Sequence, residues 1–528
     1  MTGSRLMAAF VGMDLPASVA AAIGRGAYAG VTLFRHHNVE SLEQVRALNS
    51  AIQAAAAAQD KPLLIATDQE TGQLSAIAHG TTEFAGAMAL GAAGDEGLAE
   101  RVAAAIGREL RALGVNVNYA PVCDLADAPH NPAMGIRAFG DDPHAVAPLV
   151  AATVRGLQGE GVAATAKHFP GIGRAAVDTH DTLAVVDGDP DYFESRELIP
   201  FSAALDAGAR LVMAGHAAVP GLVGDATLPA SLAEPVLTGL LRDRLGFSGL
   251  TITDALDMGA IAQGTAQVVD VITALRAGED LLLATADEEL VARVEQAIEQ
   301  AELRGLVDRR GRDATGARLA ELRQWLDGFD QPSLDVVGCA EHQALARELA
   351  ERSVTLVRDG ADLLPLRLPD GARICVIEPP AANLTPADTS ALVEPTLAQA
   401  VRRRWAATNK LDVSAEPTDH DIAAVQSRLA DFELVIVATS AANLQAGHVG
   451  LANAVLGSGR PTITAALRTP WDLASYPQAQ THPCTYSRLG PSTEALAAVL
   501  FGEIPVRGRL PVIMGDLYPR GHGLTPWH

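Results

Sequence analysis

The chain has 528 residues, 48% of them apolar, with 63 acidic against 40 basic side chains and a formal net charge of −23. At roughly 100–250 residues per domain, that length predicts two domains around large cores and excludes intrinsic disorder. So acidic a chain repels a phosphate backbone, whose binding needs clustered Lys and Arg, and nucleic acid is not an expected partner. Lysine occurs only at Lys61, Lys167 and Lys410. Cys123, Cys339, Cys375 and Cys484 are scattered without metal-ligand spacing, which predicts small buried thiols in a reducing compartment. The apolar run within Met1–Leu15 is broken by Gly12 and Asp14, too early for a secretion leader. No stretch approaches the roughly 18–20 apolar residues of a membrane span, so a cytoplasmic protein without a membrane partner is expected.

Along the first 290 residues, short runs rich in β-branched and aliphatic residues alternate with Ala-rich helical stretches. The predicted strands are Ala8–Met13, Gly30–Phe34, Pro62–Thr67, Val115–Pro121, Val162–His168, Arg210–His216, Leu250–Asp254 and Asp280–Ala284. Between them lie predicted helices at Ser41–Gln59, Asp95–Leu113, His144–Glu160, Asp191–Ala207, Ala233–Leu245 and Ala266–Ala277. Eight such units predict an α/β fold, a (β/α)8 TIM barrel over residues 1–330, with an open doubly wound sheet as the alternative. Asp287–Leu326 reads as helices of a solvated surface layer, and Gly328–Leu334 reads as a linker. A second α/β pattern, sandwich-like, occupies 336–528, with strands at Val354–Arg358, Arg373–Glu378, Leu434–Thr439 and Thr462–Leu467 and a helix at Thr493–Leu500.

In a barrel the reactive groups gather where strands end. Here those ends carry Asp68, Asp124, Lys167, His168, His216 and Asp254, polar groups that predict a shared pocket. After the fifth strand, Lys167–Gly173 runs into Asp178-Thr179-His180-Asp181. A carboxylate two residues from a histidine can hold one imidazole nitrogen and leave the other for proton transfer, although an exposed loop histidine has the same pattern. Asp254 closes a strand where a catalytic carboxylate is expected, and where a helix-capping Asp would also stand. His36-His37 lack further ligands and Gly91–Gly94 lacks a strand–turn–helix setting, so neither a metal nor another cofactor is expected.

Together these residues resemble glycoside hydrolase family 3, in its bacterial β-N-acetylglucosaminidase branch. The motifs are Lys167-His168-Phe169-Pro170-Gly171-Ile172-Gly173, Asp178-Thr179-His180, Asp68-Gln69-Glu70, Arg137–Pro143 and Thr253-Asp254-Ala255-Leu256-Asp257-Met258-Gly259-Ala260. Further matches at Ser353–Val357, Arg468–Leu473 and Gly508–Val512 are similar to the family's C-terminal domain. The resemblance implies Asp254 as the nucleophile and His180, oriented by Asp178, as acid and base. It implies Asp68, Arg137, Lys167 and His168 on the sugar hydroxyls, with His216 and Met258 lining the pocket and Asp124 either in the pocket or behind it. Two segments depart from the branch: Thr71-Gly72-Gln73 stands where Gly-Gly-Arg is frequent, and Ile172 replaces a histidine, leaving His180 as the loop acid. Arg174 adds a cation that hints at an anionic acceptor or aglycone, although a surface Arg with no ligand is the more ordinary reading.

The expected function is an exo-acting retaining β-N-acetylglucosaminidase acting on a small carbohydrate, GlcNAc-terminated cell-wall or chitin-derived oligosaccharides. An imidazole acid/base is never anionic, so phosphate as acceptor, and hence a phosphorylase, is the first alternative. A plain β-glucosidase leaves Asp178-Thr179-His180 unexplained. A catalytically silent sugar-binding protein is the alternative from another class. The sequence assigns no oligomeric state.

Overall fold

Eight short strands, each parallel to both neighbours, close into a barrel in chain order. The computed structural model of the protein describes residues 5–57 and 62–526. The strands are β1 (Leu6–Ala8), β2 (Gly30–Leu33), β3 (Leu64–Thr67), β4 (Val117–Asn118), β5 (Ala163–Phe169), β6 (Leu211–Ala214), β7 (Leu250–Ala255) and β8 (Leu281–Leu283). The period of two is visible in β3, where Leu64 and Ala66 join the cluster inside the barrel and Ile65 joins the one beneath the helices. The closed ring excludes the doubly wound alternative.

All eight predicted strands are present, most with shorter bounds, and the first is displaced from Ala8–Met13 to Leu6–Ala8. Its pairing with Leu282 on one side and Gly30 on the other fixes the earlier segment in the ring, and the residues after Ala8 turn away. Predicted helices appear at Leu42–Ala56, Glu96–Leu113, Pro143–Gly159, Pro235–Arg244 and Gln267–Ala277; residues 58–59, predicted to extend the first, lie outside the described residues. Local chemistry sets their starts, as where Ser41, Asp95 and Asp142 accept backbone N–H groups of the first turns. The predicted Asp191–Ala207 helix winds through a wide turn at Phe193–Glu197 before Leu198–Asp206.

The helix Arg309–Leu326 corrects the expectation of a solvated layer. Its Leu319, Leu322 and Leu326 pack into the barrel-interior cluster, partly covered by Trp325. Arg318 pairs with Asp280 at 2.9 Å and Arg323 donates to the carbonyl of Ala29, both just before strand starts. The helix therefore plugs the end of the barrel opposite the strand termini. An apolar stripe at i, i+3 and i+7 is hidden there among arginines and glutamates.

The second unit is a six-stranded sheet of β9 (Thr355–Asp359), β10 (Ile374–Ile377), β11 (Thr408–Leu411), β12 (Leu434–Thr439), β13 (Thr462–Ala466) and β14 (Thr481–Cys484). Its spatial order is β9-β14-β13-β12-β10-β11, parallel except at the β9 edge. Apolar clusters cover both faces. Two of its strands, β11 and β14, were not among those predicted.

The units meet over the barrel's mouth side and flank. Glu109 on the helix Glu96–Leu113 accepts from Thr82 and, across the junction, from Gly338 N at 3.0 Å and His342 Nδ1 at 2.8 Å. Arg520 reaches Asp141 and Asp142 from the far end of the chain. Cys123, Cys375 and Cys484 are buried as expected, whereas Cys339 is half-exposed before the helix Ala340–Ser353. Among the described residues no helix is long and apolar enough to cross a membrane.

Candidate active site

At the carboxyl ends of the strands, a cavity of about 320 Å³ is lined by Asp68, Arg137, Lys167, His168, His180 and Asp254 among others. Six residues singled out in the sequence thus meet in one place, because each follows or closes a barrel strand or lies on a loop arching over one.

Their charges form a connected chain. Glu70 pairs bidentately with Arg137, at 2.8 Å to Nε and 2.9 Å to Nη2, and also with Lys167 Nζ at 2.5 Å. Lys167 Nζ turns to Asp68 at 2.6 Å. Burial alone would raise the Glu70 pKa, but the Arg137 and Lys167 charges outweigh it and bring it to about 2. The same acids raise Arg137 and Lys167 against the effect of burial, so both stay cationic in a dry setting. Arg137 Nη2 lies 3.5 Å from His168 Nε2, while His168 Nδ1 lies 2.7 Å from Asp124 Oδ2. That arrangement puts the His168 proton on Nδ1. Asp124 also accepts from the backbone N–H of His168 and of Ile172, tying the end of β5 to the loop beyond it.

Asp254 ends the buried run of β7, and its Oδ1 accepts from Ala255 N at 2.8 Å. No longer helix follows for it to cap; the chain turns through Leu256–Ala260 instead. Burial pushes its pKa up, but the nearby His168, His216 and His180 lower it overall, so the carboxylate is ionised. Across the cavity, His180 Nδ1 meets Asp178 Oδ1 at 2.7 Å and His180 N donates to the same oxygen at 2.9 Å. His180 keeps 25% of its side-chain surface exposed. Burial works against its protonated form, and Asp178 overcomes that and raises its pKa; Asp178 is lowered in turn by its bonds to His180. The loop is strapped at two points, where Asn131 Nδ2 donates to Ala175 O and Gly259 N to His180 O, each at 2.8 Å.

Two predicted lining residues stand behind the wall. His216 is fully buried with Nδ1 2.6 Å from Ser231 Oγ, and its other ring nitrogen faces the backbone of Asp254 and Ala255. Burial lowers its pKa, against the pull of the Asp254 carboxylate. Met258 is buried within the turn after β7, its backbone carbonyl accepting from Gln263. Arg174 is not at the cavity: its guanidinium lies 4.7 Å over the Tyr192 ring.

Other residues enter the site without having been assigned a place in it. Glu70 stood in a quoted motif without a role, although its spacing from Asp68 was a signal. Glu197 lies under Gly171, whose φ is +113° and where a Cβ would come within 2.6 Å of the carboxyl. Burial raises Glu197 to about 8, so this group is a neutral acid donated to by Tyr192 at 2.7 Å. Pro386, Ala387 and Thr389 of the second domain complete the cavity wall. Thr389 donates from N and Oγ1 to the carbonyl of Gln73, the segment where the sequence departs from the branch.

Comparison with known proteins agrees with the geometry. Residues 9–310 match the family model described as the glycosyl hydrolase family 3 N-terminal domain. The chain is 31% identical over 553 residues to beta-hexosaminidase A of Pseudoalteromonas piscicida, covering 94% of this chain and 91% of that one. It is 30% identical to a beta-N-acetylglucosaminidase/beta-glucosidase of Cellulomonas fimi, covering 85% of this chain and 83% of the other. A solved family 3 beta-N-acetylglucosaminidase from Paenibacillus sp. str. FPU-7 superposes with a TM-score of 0.92 at 32% identity, over 97% of this chain and 98% of that one. The barrel, the mouth-facing acids and these matches together place the chain in glycoside hydrolase family 3.

Proposed function

We propose that this glycoside hydrolase is an exo-acting, retaining β-N-acetylglucosaminidase that removes terminal β-linked GlcNAc from cell-wall or chitin-derived oligosaccharides. The observation that carries the reading is His180, held by Asp178, facing the same cavity as the ionised Asp254. In the first half-reaction, Asp254 attacks the anomeric carbon while His180 Nε2 gives its proton to the departing oxygen, leaving a glycosyl ester on Asp254. In the second, His180 takes a proton from water, which attacks the same carbon and frees Asp254. Asp178 holds the imidazole through Nδ1, fixing which nitrogen works. The chain Asp68–Lys167–Glu70–Arg137–His168 presents preorganised donors and acceptors to the sugar hydroxyls. The relatives named as beta-hexosaminidases support the choice of sugar.

A second reading rests on the same imidazole. With no second carboxylate at the acid/base position, a phosphate anion can take the place of water and yield GlcNAc-1-phosphate. Product analysis on p-nitrophenyl β-GlcNAc and β-glucoside, with and without phosphate, separates the readings. Free GlcNAc in both buffers is expected, and sugar phosphate formed only with phosphate would replace hydrolysis by phosphorolysis. Asp254→Ala is expected to lose at least about a thousandfold in kcat; wild-type-like turnover would remove Asp254 as nucleophile, and saturable binding without turnover in the native protein would leave only a sugar-binding role.

A further inference from the structure

The cations of the cavity are not equivalent. Arg137 and Lys167 are committed to Glu70 and Asp68. Arg35, first residue of the short helix Arg35–Asn38 after β2, also lines the cavity, and among the described residues no carboxylate forms an ion pair with it. Its Nη1 donates to the carbonyl of Ser75 at 3.2 Å and its Nη2 lies 3.4 Å from His79 Nε2. Burial lowers its pKa and no neighbouring acid opposes this, the electrostatic signature of a half-desolvated cation without a counter-charge. His36 and His37 stand beside it on the same wall.

Its position tells which part of a substrate it meets. Arg35 and Thr389 line both this cavity and a neighbouring pocket between the barrel and the second domain, and Ser75 joins them, its carbonyl accepting from Arg35 and its N–H donating to Thr389 Oγ1. That neighbouring pocket is bounded by Gly72, His79, Glu83 and Glu394, whereas Asp68, Lys167, His168 and Asp254 belong to the cavity alone. A terminal sugar seated on Asp254 therefore has Arg35 at the border of its cavity, toward the second domain. The exposed Asp257 lines the cavity on the nucleophile loop but not the neighbouring pocket.

We propose that Arg35 is the anion-recognising element of the leaving-group subsite, selecting substrates whose aglycone carries an oxyanion, a carboxylate or a phosphate ester, close to the scissile bond. The proposal rests on the exo-glycosidase reading. It gives the guanidinium the charge-assisted partner that it lacks among the described residues. Thr389 stands near it, both being hydrogen-bonded to Ser75.

The test compares kcat/KM for two aryl β-N-acetylglucosaminides, one bearing a ring carboxylate and the other its methyl ester. The native protein is expected to prefer the carboxylate by about tenfold or more at low salt, the scale of a hydrogen bond to a charged group. That preference shrinks as ionic strength rises. Arg35→Ala should bring the ratio close to one, whatever it does to the ester's own rate, and Arg35→Lys should restore part of it. Turnover of both substrates without preference, or a preference that survives Arg35→Ala or is insensitive to salt, overturns the assignment. Turnover of neither fails the glycosidase reading itself, and the proposal with it. Acceleration by inorganic phosphate that depends on Arg35 assigns the cation to the acceptor instead and likewise overturns the leaving-group role.

Discussion

Asp178 and His180 stand two residues apart, yet their bond forms only because the backbone N–H of His180 also turns onto the same carboxylate oxygen. The carboxylate favours imidazolium, so His180 keeps its proton to a higher pH than an isolated histidine. Asp254, held below the usual carboxylate range, stays ionised to lower pH. Both limbs of the pH profile of kcat/KM therefore move outward. Asp178→Asn removes the charge that stabilises the acid form, and the alkaline limb is expected to move toward acid, with the acid limb nearly fixed. An unmoved alkaline limb would take the acid role away from His180. At this scale the sequence was informative wherever a residue is chemically unusual for its place, as with Lys167 and His168 closing an apolar strand. It was silent on partnership. Nothing in Asp68-Gln69-Glu70 says that the third residue neutralises Arg137, 67 positions away, or that Arg174 is spent on Tyr192.

Elements were legible in proportion to their apolar contrast. The barrel strands are short runs of Leu, Ile, Val and Ala between polar turns, and all eight could be read. The two unread strands have reasons of their own. Thr408-Asn409-Lys410-Leu411 is an edge strand with exposed Asn409 and Lys410, and Thr481-His482-Pro483-Cys484 is buried but carries His and Pro. Loop geometry was less legible still, and there the acid/base loop makes its closest contact with the nucleophile turn. Gly259 N donates to His180 O, and a Cβ at position 259 would come within 2.4 Å of Asp181 O. Gly259→Ala must therefore displace either the nucleophile turn or the loop carrying the acid. The expected outcome is a fall of at least about tenfold in kcat/KM for alkyl or oligosaccharide leaving groups, with a smaller loss for dinitrophenyl glycosides that need no protonation. Equal losses for both would mean that the clasp does not position the acid.

At the scale of the molecule, the second domain is part of the site, since Pro386, Ala387 and Thr389 close the cavity. Fixing them requires a rigid junction, and Glu109 is its most heavily bonded group. Its carboxylate accepts from Thr82 N at 3.0 Å, Thr82 Oγ1 at 2.5 Å, Gly338 N and His342 Nδ1. Glu109→Ala leaves these buried donors unmet at a cost of about 3 kcal/mol. A melting transition lower by several degrees is expected, with KM for the aryl glycoside rising as the wall loosens. An unchanged melting profile would show that the junction is held elsewhere.

The plug helix Arg309–Leu326 bears on how the molecule comes into being. Synthesis completes the eight strands well before Leu319, Leu322 and Leu326 emerge, and until then Met7, Leu64 and Leu250 of the barrel interior face water at the unplugged end. The growing chain passes through a stage resembling an open-bottomed cup whose sticky lining invites other chains. A gene truncated at residue 310, where the family match stops, would leave the protein at that stage, and chaperone capture or inclusion bodies should follow.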